Sequence, residues 1–275
     1  MNPDIREINH LALIAGGGRF PFLLLQSARE LAIPVTVFAI NGVTSPELAN
    51  LAERIYWLEL GEALSRFVEH CHTDGIRYVV MGGRMAHNMI WRYRGFDKRS
   101  LRVLARMVTR RADGILGTVS DELAHEGILM LDQSFLLKNC MPEKGLLTPK
   151  RSLTRTEKKD IKFGYPLARE IAGMDIGQTV VVKDLAVVAV EGLDGTDETI
   201  LRAGRISGGG NVVIKVCKPH QDSRFDIPVI GPDTVRTLQQ AGGGALVIMA
   251  NETLFFDREE AVLLAQEAGI AIVSI

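Results

Sequence analysis

The sequence lacks any run of about 18 apolar residues, the length that a membrane-spanning helix needs. Its first ten residues, MNPDIREINH, carry acidic side chains and have no apolar core, unlike an export signal. Cysteine is scarce, and Cys71, Cys140 and Cys217 lie far apart without forming a C-x-x-C pair. These absences predict a cytoplasmic protein with reduced thiols, neither exported nor integral to a membrane, and without a cysteine zinc site.

Neither sign of charge is in excess, because 32 Lys and Arg residues balance 33 Asp and Glu residues. The whole molecule therefore has no strong field to attract nucleic acid, and we expect no nucleic-acid partner. The densest basic stretch, residues 84–111, includes Trp91, Tyr93 and Phe96. It is interpreted as a solvated helix face, with a patch for an anionic substrate or a membrane surface as the alternative.

Several catalytic motifs are missing from the sequence. There is no Walker A sequence, no G-x-S-x-G elbow and no H-E-x-x-H pair. The six histidines form no metal-binding pattern, and His220 is the one that lies in a polar loop of interest. The usual dinuclear phosphoesterase, which is rich in Asp and His ligands, is therefore disfavoured.

Aliphatic residues are abundant, since 47% of the 275 residues are hydrophobic and only 6% are aromatic. This composition suits strands and helices packed in layers. The length exceeds the usual size of one domain, so we expect two modest domains. The irregular segment 141–155 predicts the linker or the entry to the second domain, which gives domains at residues 1–140 and 141–275.

The first half alternates short apolar runs with amphipathic stretches, the βαβ order of a parallel α/β sheet. We predict strands at 11–15, 35–40 and 77–81, and helices at 20–31, 62–71 and 98–111. In the second half we predict helices at 156–172, after Pro232 and at 258–268, strands at 212–217, 245–249 and 270–275, and a hairpin at 179–190 turned at Lys183 and Asp184.

A glycine turn follows the first predicted strand, at Gly16, Gly17 and Gly18. Such a turn lets the backbone approach a phosphate at a helix N-terminus. Dinucleotide binding is disfavoured because Pro21 replaces the third glycine of the fingerprint, and no acid follows Ile40 to hold a ribose. Phosphate or nucleotide-sugar contact is the main interpretation, and a purely structural turn is the alternative.

A second glycine pair, Gly82 and Gly83, also follows a predicted strand and precedes Arg84. The carboxyl ends of parallel strands meet at one end of a sheet, where ligands bind. We therefore expect both glycine turns to lie together at that end.

The loop KPHQDSRFDIPVIG follows a predicted strand and is rich in ionisable groups. Pyrophosphate hydrolysis requires cations to offset phosphoryl charge and a carboxylate to bind Mg²⁺ or orient water. A solvated loop is the alternative interpretation. The candidates in this loop are Lys218, His220, Gln221, Asp222, Arg224 and Asp226.

Three further sets of residues could act as caps or as ligands. The segment EGLDGTDE contains Glu191, Asp194, Glu198 and, as candidate N-caps or ligand contacts, Thr196 and Asp197. Lys215 lies inside an apolar strand, where it reaches a buried anion or marks a sheet edge. Asp132 follows the run ILML and either caps a helix beginning DQSFLL or contacts a ligand.

Three segments carry a family resemblance: IAGGGRFP, FGYPLAREIAGMDIGQTVVVKDLAVVAVEGLDGTDETILRAG and KVCKPHQDSRFDIPVIG. With them the chain resembles the UDP-2,3-diacylglucosamine pyrophosphatases of the LpxI type, enzymes of lipid A biosynthesis. The matching segments extend from Leu11 to the C-terminus. The resemblance implies a Rossmann-like N-terminal domain, a C-terminal α/β domain of its own type, and a lipid substrate held between them.

The resemblance also implies an activity: cleavage of UDP-2,3-diacylglucosamine to UMP and 2,3-diacylglucosamine 1-phosphate (lipid X), with Mg²⁺ as cofactor. The aspartate of the R-F-D-x-P motif, here Asp226, is the residue whose loss is expected to abolish turnover. Gly18, Gly82 and Gly83 look like ligand contacts. The basic stretch around Trp91 departs from the family pattern, so the acyl-chain contacts are not predicted.

The leading hypothesis is therefore Mg²⁺-assisted pyrophosphate hydrolysis. Asp226 would bind the metal or orient water, and Lys215, Lys218 and Arg224 would offset phosphate charge. The alternatives are a non-catalytic protein that binds a nucleotide sugar or lipid, and an NAD(P)-dependent oxidoreductase. We expect peripheral, transient contact with the inner membrane, and a homodimer is left open.

Overall fold

The structure is a computed structural model that describes residues 3–85, 95–106, 112–219 and 221–275. The chain forms two compact units. The N-terminal unit consists of Met1–Leu137 together with Asp222–Asp226, and the C-terminal unit consists of Lys138–Gln221 and Ile227–Ile275. By sequence position, Asp222–Asp226 falls within the range 141–275, but the structure groups it with the first unit.

The N-terminal unit is built on a parallel sheet with strand order β3-β2-β1-β4-β5. This order matches five strands of the doubly wound nucleotide-binding sheet. The strands are β1 (Leu11–Ala15), β2 (Val35–Ile40), β3 (Arg54–Leu58), β4 (Tyr78–Gly82) and β5 (Leu129–Met130). The helices are α1 (Phe20–Glu30), α2 (Ala63–Asp74), α3 (Lys98–Arg106) and α4 (Ala112–His125).

Burial explains which strands the sequence revealed. Every residue of Val35–Ile40 is buried, as expected of a central parallel strand. Strand β3 was not predicted. It lies at the sheet edge, where four of its five residues are exposed or half-buried. Helix α2 ends where Gly75 takes a left-handed conformation with φ +68°.

The C-terminal unit contains a mixed sheet with strand order β6-β13-β11-β9-β7-β8. Strands β9, β11 and β13 are parallel, whereas β6, β7 and β8 join through antiparallel pairs. These strands are β6 (Gly145–Leu146), β7 (Thr179–Lys183), β8 (Ala186–Val190), β9 (Val212–Lys215), β11 (Ala245–Ile248) and β13 (Ala271–Ser274). A small parallel pair is formed by β10 (Val229–Ile230) and β12 (Leu254–Phe255), and the helices are α5 (Arg155–Gly173), α6 (Gly195–Ser207), α7 (Pro232–Gln240) and α8 (Arg258–Glu267).

The first helix of this unit begins at a capping box. Thr154 Oγ1 accepts a hydrogen bond from Glu157 N at 3.1 Å, and Thr154 N donates to Glu157 Oε2 at 2.7 Å. The polar residues at the predicted start of this helix are therefore confirmed as its cap. The predicted α/β fold class, with a parallel N-terminal sheet and a distinct C-terminal α/β domain, is confirmed as well.

The hairpin turn differs from the prediction by one residue. The turn lies at Asp184 and Leu185, which both have positive φ of 50° and 63°, rather than at Lys183 and Asp184. Asp160 of α5 stabilises it by accepting hydrogen bonds from the backbone of Asp184 at 3.1 Å and of Leu185 at 2.7 Å. The buried carboxylate of Asp160 lies 24 residues before Asp184 in the chain, so the sequence around the turn gives no sign of this contact.

Two predicted helix caps are wrong. Helix α6 begins at Gly195 with Asp194 as its N-cap, so neither Thr196 nor Asp197 caps it. No helix begins at Asp132, because the backbone after β5 forms consecutive turns instead. In both places the polar side chains make tertiary hydrogen bonds, which compete with capping.

The described part of the basic stretch includes α3, in which Lys98, Arg102 and Arg106 are exposed as predicted for a solvated face. Arg99 and Arg106 form ion pairs with acidic residues of α4 and of the turn after it. The aromatic residues Trp91 and Tyr93 and the expected end of the helix lie outside the described residues. No helix in the described part of the chain is long and apolar enough to cross a membrane.

Candidate functional site

The two glycine turns lie together at the carboxyl end of the N-terminal sheet, as predicted. Gly16 N donates to Gly82 O at 2.7 Å, and Gly17 and Arg84 form an antiparallel bridge with N–O distances of 2.8 and 2.9 Å. These bonds extend the pairing of β1 with β4 beyond the ends of both strands. The two turns therefore form one backbone surface.

Packing explains why three of these positions are glycine. A Cβ on Gly16 would lie 2.8 Å from the backbone of Gly83, and a Cβ on Gly83 would lie 2.7 Å from the backbone of Gly16. A Cβ on Gly82 would lie 2.3 Å from the side chain of Leu24, which is buried in α1. Close contact between backbones thus requires glycine at positions 16 and 83, and contact with Leu24 favours it at position 82, whether or not a ligand binds there.

Gly18 differs from the other glycines in this turn. Its φ is +85°, which disfavours side chains, yet a Cβ would meet nothing within 4 Å. It precedes α1, whose first turn carries no acidic residue. The partial positive charge at this helix N-terminus is therefore not offset locally by an acid, and the backbone at Gly18 is open to an approaching anion.

The segment Asp222–Asp226 is anchored beside β5 within the same unit. Gln133 N donates to Ser223 O at 2.9 Å, and the Ser223 hydroxyl donates to Asp132. The side-chain amide of Gln133 also donates to Met81 O at 3.2 Å, on the strand that leads into the second glycine turn. Hydrogen bonds thus connect this segment to β4 at the carboxyl end of the sheet.

Arg224 pairs with Asp222 through two parallel hydrogen bonds. Nε donates to Oδ1 at 2.9 Å and Nη2 donates to Oδ2 at 2.6 Å, while Nη1 donates to the buried hydroxyl of Ser120. The hydrogen bonds from Arg224 lower the pKa of Asp222, so this carboxylate is ionised at neutral pH. The hydrogen bonds that Arg224 donates to Asp222 raise the pKa of Arg224, and the charges of Asp121 and Asp132 add to this effect.

Asp226 ends this segment and is half-buried. Its backbone N–H donates to Asp222 O at 3.2 Å, so the five residues form a compact turn. The next residues, Ile227 and Pro228, are buried and belong to the C-terminal unit. The backbone of Asp226 is therefore fixed by the turn before it and by the buried residues after it.

In the C-terminal unit, Lys215 and Thr196 lie together, as two of the predicted substrate-binding residues. Lys215 Nζ donates to Thr196 Oγ1 at 3.0 Å, and Thr196 Oγ1 donates to Glu191 Oε1 at 2.9 Å. The other oxygen, Glu191 Oε2, accepts a hydrogen bond from Gln178 N at 3.2 Å. The end of β9, the start of α6 and the segment after β8 are thereby joined through side chains.

Lys218 and Gln221 form a second polar pair in this unit. Lys218 N donates to Gln221 Oε1 at 2.7 Å, and Lys218 Nζ forms an ion pair with Asp175 at 2.8 Å. Asp175 has a positive φ of 59°. Asp197 is exposed in the first turn of α6, and His220 lies outside the described residues.

The residues offer Mg²⁺ a limited set of ligands. No group of three or more His, Cys, Asp or Glu side chains suited to a metal ion occurs among the residues that the structure describes. Both oxygens of Asp222 are used by Arg224. A Mg²⁺ ion in phosphate chemistry often takes only one or two carboxylates and completes its shell with phosphate and water, so binding of Mg²⁺ by Asp226 stays a prediction.

The sequence assigned no role to four residues that organise these clusters. Asp222 and Glu191 were named among the polar residues of their loops, but not as the partners that pair with or position a predicted cation. Ser120 and Asp175 gave no signal, because their partners are 104 and 43 residues away in the chain. For the pair of Asp222 and Arg224, the only sign in the sequence is that the two residues are two positions apart.

These features define a class of protein, an α/β protein with two units. Glycine turns, acidic residues and an arginine lie at the carboxyl end of its N-terminal parallel sheet. The chain belongs to the LpxI family. The sequence model of the LpxI N-terminal domain matches residues 10–140, and that of the LpxI C-terminal domain matches residues 143–273. The family resemblance seen in the sequence is thereby confirmed.

A relative from Caulobacter vibrioides is named UDP-2,3-diacylglucosamine pyrophosphatase LpxI. It is 27% identical over 277 residues, which cover 96% of this chain and 97% of that protein. The similarity therefore extends over both units.

Similarities to solved structures are weak. The biotin carboxylase subunit of a pyruvate carboxylase matches 73% of this chain with 10% identity and a TM-score of 0.28. The biotin carboxylase domain of the 2-oxoglutarate carboxylase of Hydrogenobacter thermophilus matches 72% with 13% identity and a TM-score of 0.24. The chain spans 42% and 41% of those structures, and such similarities carry no argument about this protein.

Proposed function

We propose that this protein hydrolyses the pyrophosphate of UDP-2,3-diacylglucosamine to UMP and 2,3-diacylglucosamine 1-phosphate, a step of lipid A biosynthesis. Family membership and the activity in the name of the relative support this proposal. The observation that carries it is the anchoring of Asp226 at the carboxyl end of the N-terminal sheet, where the two glycine turns also lie. Ligands of such sheets bind at that end.

The N-terminal sheet would bind a phosphate group of the substrate. The open backbone at Gly18 and the N-terminus of α1 favour an anion, and the glycines at 16, 17, 82 and 83 form the surface around it. Lys215 and Lys218 of the C-terminal unit would offset phosphate charge, and Thr196, Asp197 and Gln221 would contact the substrate as predicted.

Asp226 would act as the catalytic carboxylate. It would hold or orient the attacking water and bind Mg²⁺, which when present supplies positive charge to the phosphoryl oxygens. The backbone bond from Asp226 N to Asp222 O and the buried residues after it restrict where this carboxylate can move. A fixed carboxylate is what water activation requires, because misplacement by about 1 Å can cost about 100-fold in rate.

The test is the Asp226→Asn variant, incubated with UDP-2,3-diacylglucosamine and Mg²⁺. We expect release of UMP to fall by at least about 10³-fold, the usual scale for loss of a central catalytic group. The matched control is Asp233→Asn, which changes an aspartate whose side chain is 96% exposed on α7, and which should retain full activity. Absence of UMP from the wild-type protein, or undiminished turnover in Asp226→Asn, would refute the proposal.

A chelator tests the metal requirement separately. With excess EDTA the wild-type protein should release no UMP, and added Mg²⁺ should restore it. Turnover that persists in EDTA would remove Mg²⁺ from the proposal but leave the hydrolase assignment standing. Cytoplasmic location, contact with the inner membrane and a homodimer remain predictions.

A further inference from the structure

The Arg224–Asp222 pair suggests a role for Arg224 that differs from phosphate binding. A guanidinium group offers two edges to a partner with two oxygens, the Nε–Nη2 edge and the Nη1–Nη2 edge. Asp222 takes the first edge with both of its oxygens, and the Ser120 hydroxyl binds Nη1 on the second. Three of the five N–H donors of Arg224 are therefore already used within the protein.

The charge of Arg224 is compensated by its surroundings. Its bidentate partner Asp222 is ionised, and the carboxylates of Asp121 and Asp132 also act on the guanidinium. Because the pair has no net charge and further acids lie near it, its attraction for an incoming phosphate is reduced. Both side chains are about one-third exposed, so the pair is only partly shielded from solvent.

The same contacts fix the shape of the turn. Arg224 N donates to Asp222 Oδ1 at 3.1 Å, which adds a backbone bond to the two bonds from the guanidinium. Phe225 N and Asp226 N both donate to Asp222 O at 3.2 Å, and the guanidinium carbon lies 5.1 Å from the centre of the Phe225 ring. The ion pair thus closes a loop two residues before Asp226.

We infer that Arg224 and Asp222 are positioning residues that hold the turn Asp222–Asp226 on the N-terminal unit, through Ser120, and thereby place the carboxylate of Asp226. We call the Arg224–Asp222 pair the clamp. The inference rests on the proposed function, because that function requires the carboxylate of Asp226, which the clamp would position. It replaces the predicted contact of Arg224 with substrate. Asp132 supports the same turn through the Ser223 hydroxyl.

The test compares Arg224→Gln, Asp222→Asn and the double variant. If the pair positions Asp226, each single change should lower kcat by about 10- to 100-fold, the cost of a misplaced group, while KM changes less than about threefold. The double variant should be no worse than the more impaired single variant, because both changes break one clamp. The matched control is Arg236→Gln, which breaks a surface arginine pair with Asp233 and Glu260 and should leave both constants unchanged.

A direct contact with phosphate predicts a different pattern. Arg224→Gln would then raise KM, whereas Asp222→Asn would free the guanidinium and leave turnover intact. Either result would overturn the inference. Circular dichroism of every variant excludes a loss of folding as the cause.

Hydrogen exchange tests the clamp without any need for activity. Peptides that contain Phe225 and Asp226 should exchange faster in Arg224→Gln and in Asp222→Asn than in the wild type, because the bonds to Asp222 O open more often. The control Arg236→Gln should exchange as the wild type does at these peptides. Unchanged exchange in both clamp variants would refute the inference, whereas a wild-type protein that releases no UMP would refute only the proposed function.

Discussion

The two units hold their charged groups in different ways. In the N-terminal unit, Arg224 pairs directly with a carboxylate two residues earlier in the same turn. In the C-terminal unit, Lys215 on β9 connects to Glu191 through the hydroxyl of Thr196 at the start of α6. The first arrangement is a local ion pair on a short turn, and the second is a relay that depends on strands and a helix being packed together.

The surroundings of these groups differ as well. The N-terminal glycine turns are joined backbone to backbone, with no room for a Cβ at Gly16 or Gly83. In the C-terminal unit, Lys215, Thr196 and Glu191 are joined through side-chain hydrogen bonds. Thr179 lies beside both Lys215 and Thr196. We therefore expect substitution of a glycine in these turns to destabilise the N-terminal unit. In the C-terminal unit, we expect loss of a single hydroxyl group to weaken substrate binding.

The largest effect is expected for Gly83→Ala. The new Cβ would lie 2.7–2.8 Å from the backbone of Gly16 and Gly17, at a φ of +104°. Strained φ and overpacking together should lower the free energy of unfolding by about 2 to 5 kcal/mol. Urea denaturation followed by tryptophan fluorescence measures this unit, since Trp57 and Trp91 both lie in the N-terminal half.

The control for this change is Gly42→Ala. Gly42 has a φ of +74°, but a Cβ there would meet nothing within 4 Å. It therefore carries the conformational cost alone, about 1 to 2 kcal/mol. Equal losses in the two variants would contradict the importance of the backbone contact between the glycine turns.

A smaller effect is expected for Thr196→Val in the C-terminal unit. Valine has nearly the shape of threonine but removes the hydroxyl that links Lys215 to Glu191. Lys215 would be less well placed, and KM for UDP-2,3-diacylglucosamine should rise by about 10-fold, the equivalent of about 1.4 kcal/mol. Steady-state release of UMP measures the change.

Thr196→Ser is the matched control, because it retains the hydroxyl and should keep KM near the wild-type value. If the valine and serine variants behave alike, the relay has no role in substrate binding. The difference between the Arg224–Asp222 pair and the relay from Lys215 to Glu191 would then be a difference in structure without an effect on substrate binding.

The smallest effect is expected in the pH dependence of stability. The pKa of Asp222 is lowered by its hydrogen bonds with Arg224, so its stabilising contribution is complete above the unfolded-state pKa of about 4 and is lost as pH falls through the folded-state pKa. The stability difference between wild type and Asp222→Asn should therefore be constant from about pH 5 to 7 and shrink below about pH 4. Urea midpoints between pH 3 and pH 7 measure it, and a difference at pH 3 as large as that at pH 7 would contradict the ion pair.

Much of the fold could be predicted because the relevant signals are local. Buried strands such as Leu11–Ala15 and Val35–Ile40 appear as continuous apolar runs, and Thr154 with Glu157 marks the start of α5. The edge strand Arg54–Leu58 was missed although four of its five residues are hydrophobic, because the run is short and only Leu58 is buried. Short strands such as β10 and β12 have only two residues each, too few for a period to be read.

The candidate site was predictable in composition but not in arrangement. Glycine turns after β1 and β4 and the ionisable loop around Asp226 were visible in the sequence. The hydrogen-bond partners of the loop residues could not be predicted. Ser120 and Arg224 are 104 residues apart in the chain, and Asp132 and Ser223 are 91 residues apart. Hydrogen bonds between distant residues follow from the packed fold and leave no pattern in the sequence.

The sequence by itself determined the α/β class, the positions of most helices and strands, and the family, because apolar periodicity, capping residues and motifs depend on neighbouring residues. Only the tertiary structure decided that Asp222–Asp226 joins the N-terminal unit, and that Thr196 links Lys215 to Glu191 instead of capping α6. A polar side chain has several possible partners, and the packed fold selects among them by bringing one within hydrogen-bonding distance.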